Sequence, residues 1–128
     1  MRQRRVGAAI KTLEAGLQHA PDDPVLHNDL GMCAMLTGNY DRALEAFDKA
    51  ASLDPENARF RSNRALALGM LGQYDDALAI YQEVETPANA HYNLAVVCEA
   101  RADHERAKQE YARAFELNPS LQHTPSAP

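Results

Sequence analysis

Apolar residues in this chain return every three or four positions, in blocks punctuated by Gly and Pro, which is the spacing of amphipathic helices. Residues 3–20 set Val6, Ala9, Ile10, Leu13 and Leu17 on one stripe and stop before Pro21. A second block runs from Pro24 to about Leu36. Asp23 is placed to cap it, Pro24 fills a first turn that needs no N–H, and Gly38 supplies the left-handed residue that ends it. Asn39 suits the cap of a third helix, Asp41 to about Leu53, and Pro55 prevents its continuation.

The stretch from Asp29 to Asn57 then repeats. Leu30-Gly31 answers to Arg64-Ala65 and Leu94-Ala95, and Tyr40 answers to Tyr74 and His104. Ala43 answers to Ala77 and Ala107, and Phe47 to Tyr81 and Tyr111, with a first step of 34 residues and a second of 30. A fixed period of this size predicts stacked helical hairpins, an all-α solenoid of about seven helices. The boundaries are a half repeat over 1–23 that lacks its first helix, a full repeat over 24–57, a shortened one over 58–87 and a full one over 88–121. Residues 122–128, polar and Pro-containing, read as a disordered tail. Gly31, Ala65 and Ala95 lie opposite Ala43, Ala77 and Ala107, so the two helices of each hairpin can approach closely. Ala77→Leu is therefore expected to overpack that contact, at about 1–3 kcal/mol.

Two places break the pattern. Glu85-Thr86-Pro87 replaces a Leu-Asp-Pro stop, and Thr86 becomes the cap of the next helix. The missing length is close to one helical turn, so the stripes stay in phase while the superhelix is expected to change curvature. In the third hairpin Ala102-Asp103 stands where Gly38-Asn39 and Gly72-Gln73 stood, predicting a looser turn.

These columns resemble the tetratricopeptide repeat. The resemblance rests on Leu30-Gly31, Gly38, Tyr40, Ala43, Phe47, Ala50 and Pro55 in the first full copy. Ala65, Gly72, Tyr74, Ala77 and Tyr81 carry it in the second copy, and Leu94, Ala95, Ala107, Tyr111, Ala114 and Pro119 in the third. It covers about residues 3–121 and implies a right-handed superhelix whose first helices line a concave groove for a peptide or protein partner. Arg64 departs from the apolar column of Leu30 and Leu94. With half a repeat absent at the front and no cap after residue 121, both ends read as open, so self-association through the ends is the alternative to groove binding. A bacterial secretion or pilus-assembly accessory fits that alternative by resemblance.

From the register, the groove takes Val25, Asn28, Asp29, Met32, Met35 and Leu36 from the first full repeat. Arg59, Ser62, Asn63, Leu66 and Met70 follow from the second, and Asn89, Tyr92, Asn93, Val96, Glu99 and Ala100 from the third. The peptide-binding set is Asn28, Asp29, Met32, Arg59, Asn63, Leu66, Tyr92, Asn93 and Val96. Asn63 and Asn93 share a column, and an amide both donates and accepts, so the pair can bond a bound backbone or a neighbouring helix. The resemblance adds a precedent, the asparagine ladder of tetratricopeptide grooves in sugar-transferring enzymes. The carboxylate clamp of chaperone-binding members is not expected, since Asn28, Ser62 and Tyr92 stand where it wants lysine. Met32, Met35, Leu66, Met70 and Val96 offer a soft apolar floor, and Arg59, Arg61 and Arg64 form a basic cluster.

Charge and chemistry narrow the rest. The 128 residues carry a net charge of −5, which argues against a duplex nucleic-acid binder. No run approaches the roughly 18 apolar residues of a membrane span. Lys11 and Glu14 interrupt what would be the core of an export signal after Met1–Arg5, and the compartment is left open with the cytoplasm favoured. Cys33 and Cys98 fall two repeats apart, beyond disulfide reach. His19, His27, His91, His104 and His123 are scattered, and Glu99, Asp103 and Glu105 read as a solvated charge run. No catalytic residue, metal or cofactor is expected.

Overall fold

The computed structural model describes residues 2–122. Seven α-helices follow one another: α1 (Arg2–His19), α2 (Pro24–Leu36), α3 (Tyr40–Leu53), α4 (Ala58–Met70), α5 (Tyr74–Val84), α6 (Pro87–Ala100) and α7 (His104–Leu117). A short 3-10 helix, Pro119–Gln122, closes the described chain. The rest of the expected tail, 123–128, lies outside the described residues.

The ends of the helices are set by local chemistry. Asp23, Asn39, Asn57, Thr86 and Asp103 each accept a backbone N–H of the first turn, satisfying donors the helix itself leaves open. Gln73 opens α5 without a side-chain cap bond. Gly38 and Gly72 end α2 and α4 with φ of 76° and 86°. Ala102 adopts φ 61° at the same point of the third hairpin. That turn is not looser: Asp103 N–H donates to Cys98 O at 2.8 Å, against 2.9 Å for both Asn39 to Ala34 and Gln73 to Leu68. The alanine accepts the strained conformation because the hydrogen bonds on either side fix it.

Each α2–α3, α4–α5 and α6–α7 pair is a hairpin, and successive hairpins share their core. Ala34, Ala43 and Phe47 cluster with Ala67 of the following hairpin. Ala65, Leu68, Ala77 and Tyr81 cluster with Ala90 of the one after. Leu44 packs against both of these clusters, and Leu78 joins the second to Leu94, Cys98 and Ala107. A core handed on from neighbour to neighbour is what makes an all-α solenoid. The small-residue column does what its size requires: a Cβ on Gly31 would stand 2.5 Å from the Phe47 ring. Helix α1 lies on α2, with Val6 buried, Gly16 beneath Leu26, and Glu14 paired to Arg42 of α3 at 3.2 Å.

Candidate functional site

The first helices α2, α4 and α6 carry apolar residues around most of their circumference, because each is covered by its own hairpin partner and by its neighbours. What remains uncovered is one stripe per helix. On α2 it is Val25, Asp29, Met32 and Leu36, all exposed. On α4 the same columns hold Arg59, exposed, and Asn63, Leu66 and Met70, half-buried. On α6 they hold Asn89 and Asn93, half-buried, and Val96 and Ala100, exposed. Spacings of four, three and four residues keep each stripe on one side of its helix.

The apolar part of this face is uncommon for an open surface. Val25 is 54% exposed, Met32 40%, Leu36 51% and Val96 47%. Leu117 of α7 is the remaining large apolar side chain exposed to this degree among the described residues. Along the array the stripes form two lanes, an apolar one from Met32 and Leu36 through Leu66 and Met70 to Val96, and a polar one of Asp29, Asn63 and Asn93. Asp29 and Arg59 have no ion-pair partner among the described residues.

The structure sets Asn28 and Tyr92 apart from this face, against the expectation. Asn28 is 6% exposed, and its Oδ1 accepts a hydrogen bond from Asn63 Nδ2 at 2.8 Å. Tyr92 turns onto α7, edge-on to Tyr111 at 5.3 Å and tilted against Phe115 at 6.3 Å. Both belong to one column, with Ser62 between them, one residue before the polar lane. A residue step rotates a helix by about 100°, which carries this column from the open face to a side that meets a neighbouring helix, α4 for Asn28 and α7 for Tyr92. The basic cluster is likewise largely spent: Arg61 pairs with Glu83 of α5 and Arg64 with Asp48 of α3. The second pairing accounts for an arginine in an apolar column.

Three arrangements escaped the sequence. Glu110, 8% exposed, accepts from Arg106 at 3.2 Å and lies 2.7 Å from His91 Nδ1. Arg101 donates to Met70 O at 3.1 Å and to the Tyr74 hydroxyl at 2.8 Å, and both Arg101 and Arg106 stand over the Tyr74 ring. At the last hairpin Tyr92, Tyr111, Phe115 and Leu121 floor an open cleft rimmed by Glu99, His104 and Lys108. The columns held a signal for this cleft, since Lys108 occupies the place of Leu44 and Leu78. Cys33 and Cys98 are free, and burial, with Asp29 adding to it at Cys33, pushes both thiols up. Among the described residues no three His, Cys, Asp or Glu side chains stand as a metal site, and no helix is long and apolar enough to cross a membrane.

A stack of hairpins that leaves a two-lane face open, apolar beside polar, defines a helical-repeat scaffold for protein–protein interaction. Models of the tetratricopeptide repeat match residues 1–67, 34–86 and 88–121, and the chain belongs to that family. Its backbone is similar to several solved structures. MamA MSR-1 is 26% identical with a TM-score of 0.67, over 91% of this chain and 70% of that one. MamA from Desulfovibrio magneticus RS-1 is 25% identical with a TM-score of 0.69, over 91% and 69%.

Proposed function

We propose that the chain is a non-catalytic module that holds a segment of a partner protein along the open face of α2, α4 and α6. The observation that carries this reading is the concentration of exposed large apolar side chains there, four of them on two first helices. Side chains of this kind contiguous on one face mark an interaction site. The two methionines at the floor, Met32 exposed and Met70 half-buried, suit a surface that adapts to its ligand. A protein partner fits better than nucleic acid, because the net charge is −5 and ion pairs occupy Arg61 and Arg64, two of the three arginines of the basic cluster. Affinity for a short segment is modest, since the ligand must be ordered on binding. A photo-crosslinking residue placed at Met32 or Val96 is expected to trap the partner, and one at Lys49, exposed on the second helix α3, is not. Equal trapping from all three positions would rule the face out.

The end cleft supports a second reading. At the equivalent step of the earlier hairpins, Leu44 and Leu78 are packed against the following hairpin. The aromatic floor of the last one offers the same side to a further repeat or to another copy. Light scattering across a concentration series tests it: a rising mass that Tyr111→Ser abolishes supports end-stacking, and a constant monomer mass rejects it.

A further inference from the structure

The end cleft has a counterpart at the other end of the chain. Resting on the end-stacking reading above, we propose that the first turn of α1 in a second copy, with Arg2, Arg4 and Arg5, fills the cleft of α6 and α7, so that copies join head to tail.

Helix α1 is longer than its place in the array requires. The 34-residue step that takes Ala9 to Ala43 also takes Val6 to Tyr40 and His19 to Leu53, the two ends of α3. The turn Arg2–Arg5 therefore has no counterpart in α3. Its three arginines are exposed and have no ion-pair partner among the described residues. The one carboxylate of α1, Glu14, is already taken by Arg42.

The cleft has the chemistry that receives an arginine. It measures about 1040 Å³, the size of a ligand pocket, so it admits more than one side chain. Tyr92, Tyr111 and Phe115 are each half-buried, with Tyr111 and Phe115 stacked at 5.8 Å. A guanidinium can lie on such rings and bond a carboxylate at the same time. Glu99 stands at the rim, exposed, and its charge adds to burial in pushing the Tyr111 hydroxyl up. Glu105, in the first turn of α7, is exposed as well. Neither has an ion-pair partner among the described residues. His104 and Lys108 share the rim, and Glu116 there is held by Arg113. Glu99 and Glu105 outnumber Lys108, which leaves this edge acidic.

The chain already uses such a contact from one hairpin to the next. At the second seam Arg101 lies over the Tyr74 ring at 5.5 Å and donates to its hydroxyl at 2.8 Å. Position agrees with chemistry. Helix α1 holds the place of a second helix, so its first turn lies at the edge where first helices end. In a stack that continues the array, that turn meets the α6–α7 turn of the copy before it, where Glu99 and Glu105 stand. The two surfaces differ, so the contact is heterologous and adds copies beyond two.

Light scattering of the full chain across a concentration series reads the outcome, with circular dichroism confirming that each variant folds. The wild-type mass is expected to rise past two copies. The triple variant Arg2→Glu, Arg4→Glu, Arg5→Glu is expected to need about tenfold higher concentration. Adding Glu99→Arg to it exchanges the charges and should recover part of the association; no recovery overturns the proposal. The triple variant keeps its cleft and Tyr111→Ser keeps its α1, so mixing the two where each alone is monomeric should give pairs that grow no further. A mixture that stays monomeric overturns the proposal. If the triple variant associates like the wild type while Tyr111→Ser does not, another segment fills the cleft: this proposal fails and end-stacking survives. If the wild type is monomeric throughout, end-stacking fails and this proposal fails with it.

Discussion

The two seams between hairpins use the same columns and fill them in opposite ways. At the first seam Met35 of α2 packs on the cluster that contains Ala67 of α4. At the second the corresponding residues are Gly69 and Val97, and a Cβ on Gly69 would stand 2.8 Å from Val97 Cγ1. Large against small has become small against large. The polar contacts differ as well: the first seam carries the neutral Asn28–Asn63 pair and the Arg64–Asp48 ion pair, and the second carries Arg101 and Arg106 over Tyr74, with Arg106 3.6 Å from Asp75. The connections differ too, four residues from α3 to α4 (54–57) and two from α5 to α6 (85–86). The comparison teaches that a repeat preserves the space between hairpins and not the residues that occupy it. At the second seam a glycine lets α6 approach α4, and an arginine pair packs over Tyr74 at the start of α5.

The size exchange can be broken directly, with the largest expected effect. Gly69→Met alone drives a side chain into Val97 and is expected to cost about 3 kcal/mol. Val97→Ala alone leaves a cavity at a residue 2% exposed and costs roughly 2 kcal/mol. Together they rebuild the arrangement of the first seam, so the double variant should recover part of both losses, with a coupling of roughly 0.5–3 kcal/mol. Urea denaturation of the four proteins measures it. Strict additivity would mean that the two columns do not share one space.

A second contrast lies in the aromatic column, Phe47 at the first seam and Tyr81 at the second. Tyr81 is 4% exposed, and burial pushes its hydroxyl from near 10 up to about 12, with Glu85 adding in the same direction. The neutral form is the one the folded chain holds. Its contribution is complete below the unfolded value and is lost as pH rises from about 10 through about 12. Each tenfold difference in proton affinity between the folded and unfolded chain is worth roughly 1.4 kcal/mol. Tyr81→Phe removes that titration and makes the second seam resemble the first. Its urea midpoint should gain on the wild type between about pH 9 and pH 12. Parallel curves would show that the hydroxyl is as well hydrated folded as unfolded.

How far the sequence reaches follows from the same seams. Helix ends were legible because a cap and the N–H it accepts lie two or three residues apart, as with Asp23 and Val25 or Asn57 and Phe60. The hairpins were legible because their columns repeat. The apolar stripe Val25, Met32 and Leu36 was legible because it sits on one side of one helix. Asn28 and Tyr92 were misplaced because a single position decides whether a side chain meets solvent or a neighbouring helix, and the apolar pattern of a helix covered on several sides defines no sharp edge. The Arg101 contact with Met70 joins residues 31 apart in sequence and has no local trace. Ala102 misled for another reason: a missing glycine signals an unfavourable conformation, and the chain adopted it nonetheless.

That alanine gives the smallest test and ties the turns back to the seams. A non-glycine residue in the left-handed region costs about 1–2 kcal/mol. Part of this gain is returned as the added freedom of glycine in the unfolded chain, so Ala102→Gly should raise stability by about 1 kcal/mol. The reverse change has two sites. At Gly38 a Cβ would meet nothing within 4 Å, so Gly38→Ala should lose only the conformational cost. At Gly72 it would stand 3.1 Å from the Arg101 guanidinium, so Gly72→Ala should lose that cost and also disturb the contacts of Arg101 with Met70 and Tyr74. The difference between the two losses, a few tenths of a kcal/mol for an exposed arginine, measures what Arg101 adds to the second seam. It should vanish when both changes are repeated in an Arg101→Ala background. A difference that persists there would place the extra cost in the turn itself, and the arginine would then have no part in holding the second seam.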